Sequence, residues 1–137
     1  MSFVSRQAVR FAHCDAAGIV FYPRYFEMLN AAVEDWFAAD LGLSFAEMHG
    51  ERRMGIPTRK LDSEFLAPSR LGEEIDIGIV IARLGTSSCA IDVTMSVGQE
   101  VRARVHVVLV CMNLDSGRAI AWPDDVRSRM IPVEVAG

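Results

Sequence analysis

Apolar residues recur along the chain in two rhythms, and the switch between them lays out the fold. Residues 3–12, FVSRQAVRFA, alternate with period two and predict a strand, with Val9 and Phe11 on one face and Arg6 and Arg10 on the other. A short stretch of small and polar residues follows, His13-Cys14-Asp15-Ala16-Ala17-Gly18, then an apolar link, Ile19-Val20-Phe21. From Pro23 the rhythm becomes helical. Tyr25, Leu29, Ala32, Trp36 and Ala39 form one row, Phe26, Val33 and Phe37 a second. Arg24, Glu27, Glu34 and Asp35 leave only a narrow polar strip. So wide an apolar face predicts a helix over 23–40 that other structure wraps. Proline suits its first turn, where no backbone N–H is required, and Gly42 suits its end.

Downstream, Ser44 with Glu47 three residues on forms a capping-box pattern and predicts a short helix over 44–51. Residues 56–67 read as a strand that Pro68 and Gly72 end. Alternation returns over 74–82 through Ile75, Ile77, Ile79 and Ile81, and over 89–97 through Ile91, Val93, Met95 and Val97. Gly98-Gln99 fits a two-residue hairpin turn with glycine in its first central position. The last long strand, 101–112, is apolar on both faces in its second half, VVLVCM, which places it inside a sheet. A turn at 113–117 and a short helix over 124–130 complete the pattern. One strand, a greasy helix, then four strands in series indicate an α+β fold, with a five-stranded antiparallel sheet around one central helix. The open sheet edges require pairing or protection, which dimerisation supplies.

Composition narrows the function classes. At 137 residues the chain reads as one domain, 1–137, and 51% apolar content is high for a small monomer, so part of that surface is expected between subunits. A formal charge of −4 with scattered Lys and Arg argues against a nucleic-acid partner held by a general phosphate field. Cys14, Cys89 and Cys111 are odd in number and lack CxxC spacing, so neither a disulfide framework nor a zinc site is indicated. There is no signal-peptide pattern and no apolar run near the roughly 20 residues that span a bilayer. The expectation is a cytoplasmic protein without a membrane partner.

The chemistry gathers around the first loop. Asp15 is a carboxylate just ahead of a helix N-terminus, where unpaired N–H groups and a partial positive charge are available to an anion. Without more information, such an aspartate is most often a turn residue bonding its own backbone.

The run VRFAHCDAAGIVFYPRYFEMLN resembles the hotdog-fold acyl-CoA thioesterases, in particular the 4-hydroxybenzoyl-CoA thioesterase branch with its D-x-x-G-[IV]-[VA]-[FWY]-Y-P-x-Y signature. The matching residues are Asp15, Gly18, Ile19, Val20, Phe21, Tyr22, Pro23 and Tyr25. Residues 64–71, EFLAPSRL, are similar to a second family block, E-[FY]-x-x-P-x-x-[LY], and Arg83-Leu84-Gly85-Thr86-Ser87-Ser88 to a turn between sheet strands. The sister branch of the Tol–Pal envelope system usually carries histidine where Tyr22 stands.

The resemblance implies hydrolysis of an acyl-CoA, either aromatic (benzoyl-type) or of short to medium chain, to free acid and CoA. Asp15 would be nucleophile or general base, and the Tyr22 backbone N–H the oxyanion donor. Gly18 would let the backbone turn beside the substrate. His13, Val20, Tyr25 and Glu64 join Gly18 as candidate substrate-binding residues. His13 stands against an ordinary strand-end histidine, and Glu64 against an ion pair with Arg59 or Lys60. Arg59, Lys60, Arg70 and Arg83 are candidate cations for the CoA phosphates. No metal and no cofactor are implied, CoA being part of the substrate. The family assembles as homodimers joined sheet edge to sheet edge, often as dimers of dimers. The rival readings are a non-catalytic acyl-CoA-binding or envelope-associated hotdog protein, and a hotdog hydratase or dehydratase, for which His13 is the one nearby histidine.

Overall fold

In a computed structural model, residues 3–133 are described. Strand β1 (Phe3–Ala8) leads through a tight loop into helix α1 (Arg24–Ala39), and α2 (Phe45–Gly50) follows. Then come β2 (Met54–Gly55), β3 (Thr58–Phe65), β4 (Glu74–Leu84), β5 (Ser88–Val97), β6 (Glu100–Val110), β7 (Met112–Asn113) and α3 (Asp124–Arg127). Five strands form one antiparallel sheet in the order β1-β4-β5-β6-β3, and β2 pairs separately with β7. This is the α+β arrangement that the apolar pattern predicts.

The core lies between the sheet and α1. Ile75, Ile77, Ile79 and Ile81 of β4 and Ile91, Val93 and Met95 of β5 all turn inward, each at most 4% exposed. They meet Tyr25, Met28, Leu29, Ala32, Val33, Trp36 and Phe37 of α1. Burying side chains of this size stabilises the fold by roughly 1.5–3 kcal/mol each. Ser44 caps α2, its Oγ accepting the Glu47 N–H at 3.2 Å. Gly98 takes φ +59 at the first position of the β5–β6 turn, a conformation that glycine adopts without steric cost.

Four boundaries differ from the sequence reading. The first strand stops at Ala8, because the Val9 N–H turns to the Glu73 carbonyl and residues Phe11–His13 wind into a 3-10 turn. Phe11 therefore leaves the strand face it was expected to share with Val9 and stands 83% exposed. The 56–67 strand is shorter: β3 runs only from Thr58 to Phe65, starting after Pro57, whose missing N–H cannot join a ladder, and ahead of it Met54–Gly55 pairs with β7. The 101–112 strand ends at Val110, where Cys111 donates to the Ser87 carbonyl. The final helix closes at Arg127, although Met130 beyond it remains buried.

At the two sheet edges lie β1 and β3. All eight residues of β3 are exposed, so its outer rim offers unpaired backbone groups. Among the described residues, no helix is long and apolar enough to cross a membrane.

Candidate active site

The loop between β1 and α1 is a miniature hairpin. Cys14 and Val20 form an antiparallel bridge, the Asp15 N–H donates to the Ile19 carbonyl (3.0 Å), and the Phe21 N–H donates to the His13 carbonyl (2.9 Å). At the tip, the Gly18 N–H closes the turn on the Asp15 carbonyl at 3.0 Å. Gly18 sits at φ +76, the left-handed position that ends a three-residue hairpin loop. A Cβ built there would meet nothing within 4 Å, so backbone conformation alone calls for glycine.

Asp15 is exposed at the head of this hairpin. Its Oδ1 accepts the Ala17 N–H at 2.9 Å, the side-chain turn common for aspartate. Among the described residues Oδ2 has no hydrogen-bond partner, so one carboxylate oxygen is free to act. The hairpin delivers the chain directly into the start of α1. There the Arg24, Tyr25 and Phe26 N–H groups donate to the carbonyls of Phe21, Tyr22 and Pro23, and Pro23 has no N–H. That leaves the Tyr22 amide, for which no acceptor occurs among the described residues. The unpaired donor lies at a helix N-terminus and the carboxylate with a free oxygen at the head of the hairpin that leads into it, two groups of the kind acyl transfer uses.

Next to Tyr22 opens a depression of about 300 Å³, lined by Ile19, Val20, Tyr22, Tyr25, Phe65 and the 66–68 segment. The floor is aromatic: Phe65 of β3 stacks on Tyr25 with ring centres 5.5 Å apart and lies edge-on to Tyr22 at 6.0 Å. Larger concavities occur elsewhere, but this one adjoins both the hairpin and the free amide.

Behind the hairpin a second loop serves as its support. Val20 donates to the Ser69 carbonyl at 2.8 Å, and Ile19 and Arg70 form a bridge. Fully buried Ser69 also takes the Tyr25 hydroxyl on its Oγ at 3.0 Å. Arg102, 8% exposed, holds this loop from below, donating to the Pro68 carbonyl and to both oxygens of Glu73 at 2.8 Å each. The Arg102 guanidinium and the Arg70 N–H together hold the Glu73 carboxyl down at about 2.

Of the residues singled out in the sequence, Val20, Tyr22 and Tyr25 line the depression, and Asp15 and Gly18 lie on the hairpin that adjoins it. His13 is adjacent, but its Nδ1 accepts the Arg10 N–H at 2.8 Å and so ties down the 3-10 turn. Glu64 is displaced from its expected place. On β3, Leu61 and Phe65 meet α1, so Glu64 points to the opposite face of the sheet, opposite Arg104. It bonds neither Arg59 nor Lys60; Lys60 lies 3.6 Å from Asp62 instead. The four cations do not converge. Arg59 and Arg83 share a recess on the outer sheet face with His106, Lys60 stands apart beside Asp62, and Arg70 sits behind the hairpin. His106 itself is 2.6 Å from Asp92.

Phe65, Ser69 and Arg102 escaped the sequence reading. Phe65 and Ser69 belong to the EFLAPSRL block, where the aromatic position was the available signal. Strict alternation along the 101–112 strand would put Arg102 on one face with Arg104 and His106. Arg102 leaves that face, because a bulge pairs Ser96 with Val101 and Met95 with Ala103, leaving Arg102 as the extra residue turned toward Glu73.

All three cysteines are free. Burial pushes the Cys89 thiol up to about 12 and the Cys111 thiol up to about 11, too high for either to serve as a nucleophile near neutrality. Cys14 is half-buried, with its Sγ 3.6 Å from the Arg10 carbonyl.

Residues 9–130 match the model of the thioesterase-like superfamily. Among curated proteins, the 1,4-dihydroxy-2-naphthoyl-CoA hydrolase of Nostoc punctiforme is 24% identical over 126 residues, covering 92% of this chain and 84% of that one. Among solved structures, a gentisyl-coenzyme A thioesterase superposes with TM-score 0.85 at 26% identity, covering 94% of this chain and 100% of that one. A 1,4-dihydroxy-2-naphthoyl-CoA thioesterase from Synechocystis shares the fold at TM-score 0.85 and 20% identity, covering 95% and 96%.

Proposed function

Because this chain belongs to the thioesterase-like superfamily, with a hotdog fold and as a thioester hydrolase, we propose that it cleaves an aromatic acyl-CoA to the free acid and CoA. The observation that carries this reading is the Asp15 hairpin running into a helix whose first free amide, Tyr22, opens onto an aromatic depression. Two relatives described above are named for aromatic acyl groups, which agrees with a floor built from Tyr25 and Phe65. A planar acyl group gains from such stacking about 0.5–1.5 kcal/mol beyond the area it buries.

In the proposed reaction the thioester carbonyl lies over the helix N-terminus. As a nucleophile attacks carbon, the carbonyl oxygen gains negative charge and takes the Tyr22 N–H, aided by the α1 dipole. The C–S bond then breaks and CoA leaves as thiolate, to be protonated by solvent. Asp15 acts through one of two routes. Its free carboxylate oxygen attacks the carbonyl itself, forming a mixed anhydride that water hydrolyses, or it removes a proton from an attacking water.

The assembly belongs to the same proposal. Asp15 is open to solvent in the single chain, whereas acyl transfer benefits from a water-excluding site. Around the depression, Phe21, Tyr22, Leu61, Phe65 and Leu66 are all exposed, and beside them runs the fully exposed edge strand β3. A second copy pairing edge to edge through β3 would cover this rim and close the site.

Thiol release from benzoyl-CoA, 4-hydroxybenzoyl-CoA, hexanoyl-CoA and palmitoyl-CoA, by wild type and Asp15→Asn, tests the proposal. Faster release from the aromatic esters, abolished in the folded variant, upholds it. Binding of these esters without turnover points instead to a non-catalytic acyl-CoA-binding protein.

A further inference from the structure

Beyond Phe65 the molecule holds a second, larger apolar cleft of about 600 Å³, lined among others by Phe26, Asn30 and Val33 of α1 and Thr58, Leu61 and Val107 of the sheet. It lies between α1 and the β3–β6 edge of the sheet. The outer depression and this inner cleft occupy the same α1–β3 groove. The groove starts at Tyr22 and Phe65 and ends near Val33 and Thr58, about 16 Å along the helix at 1.5 Å per residue. One ring stands between the two. Phe65 meets Tyr22, Tyr25 and Phe26 at ring-centre distances of 6.0, 5.5 and 6.2 Å, and while Phe65 lines the outer depression, Phe26 lines the inner cleft.

We propose that the inner cleft is an extension of the acyl site for apolar acyl groups, and that Phe65, braced on Phe26, is the specificity-determining partition at its mouth. This rests on the thioesterase reading above. With Phe65 stacked on Tyr25, an acyl group of one or two rings fills the outer depression and stops there. The cleft behind is apolar and meets the site at the Phe26–Phe65 contact, so a flexible alkyl chain enters it once the ring is gone or swings aside. Phe65 lies at the last position of β3, a strand held by one neighbour only within the chain.

The test is the ratio of kcat/KM for decanoyl-CoA to that for benzoyl-CoA. Phe65→Ala raises this ratio about tenfold or more, the scale set by a few methylenes gaining or losing an apolar pocket. Phe65→Leu, which keeps an apolar side chain on the strand, gives an intermediate gain. Asn30→Trp, from an exposed position on the cleft wall, fills the cleft and cancels the gain when combined with Phe65→Ala. A ratio unchanged in Phe65→Ala, or a gain that survives in the double variant, overturns the inference. If wild type releases CoA from no ester at all, the thioesterase reading has failed instead. Calorimetric binding of decanoyl-CoA then decides the cleft alone: weaker binding to Asn30→Trp than to wild type upholds it, and equal binding refutes it.

Discussion

Arg102 grips Glu73 through both carboxylate oxygens, at 2.8 Å each, and through this pair the sheet holds the loop that backs the Asp15 hairpin. The same guanidinium bonds the Pro68 carbonyl, and its backbone carbonyl accepts the Leu66 and Ala67 N–H groups. Glu73 is partly exposed and Arg102 also pairs with Glu100 at 2.6 Å, so losing the Glu73 charge leaves the guanidinium one partner and removes its hydrogen bonds to the loop. Glu73→Gln is expected to lower stability by about 1–2 kcal/mol, measured by urea unfolding. The pair also sets an acid limit. The Glu73 carboxyl falls from an ordinary 4.5 to about 2 on folding, so its contribution is complete above pH 4.5 and is lost as pH drops toward 2. Wild type should therefore lose stability across that window, and Glu73→Gln should show a flatter profile there.

Asp15→Asn separates fold from chemistry. The amide oxygen of asparagine can still accept the Ala17 N–H, so the hairpin persists while the nucleophile or base is lost. The expected result is an unchanged melting temperature with kcat reduced about 10²–10⁴-fold. Single turnover in heavy-oxygen water tests the nucleophilic route for wild type. If the carboxylate attacks and water opens the mixed anhydride at the Asp15 carbonyl, label appears in Asp15 and the product acid carries an Asp15 oxygen, an outcome that only the nucleophilic route gives. With a general base, or with an anhydride opened at the acyl carbonyl, label goes directly to the product acid.

Gly18→Ala isolates the turn. Since a methyl group there meets nothing within 4 Å, the cost is conformational only, about 1–2 kcal/mol for a left-handed L-residue. Relaxing that strain shifts the hairpin tip and Asp15 with it. We expect kcat to fall more than KM changes, measured on the best ester of the panel.

Ser63→Lys places a charge in the middle of the exposed β3 edge, at a side chain whose residue is exposed in the single chain. Sedimentation is expected to show wild type at twice its 15.1-kDa mass or more, and this variant shifted toward the monomer with a parallel loss of turnover. A variant that stays fully assembled and active would remove β3 from the subunit interface.

The fold was legible wherever one face of an element is buried and the other is not. The isoleucines of β4 and the two apolar rows of α1 declare their period because the core selects every second or every third and fourth residue. Boundaries were legible only where local chemistry sets them, as with Ser44 and Gly98. The end of β1 was hidden because Val9 bonds a residue far along the chain, Glu73, which no local pattern announces. Likewise the hairpin carrying Asp15 and the helix start at Tyr22 were legible because they follow one another on one loop. Glu64 was misplaced because one position along a strand reverses a side chain's direction, and Arg102 because a single bulged residue shifts the alternation.

The contrast among the three thiols makes the protein its own reporter. Cys89 and Cys111 are buried and resist deprotonation, whereas Cys14 is partly accessible and adjoins Asp15. A thiol-reactive dye should therefore label the native protein at Cys14 without any engineering. Its emission would register acyl-CoA arriving at the hairpin in real time. The same reactivity sets the background of every thiol-release assay: one slowly reacting protein sulfur per chain, to be capped before substrate is added.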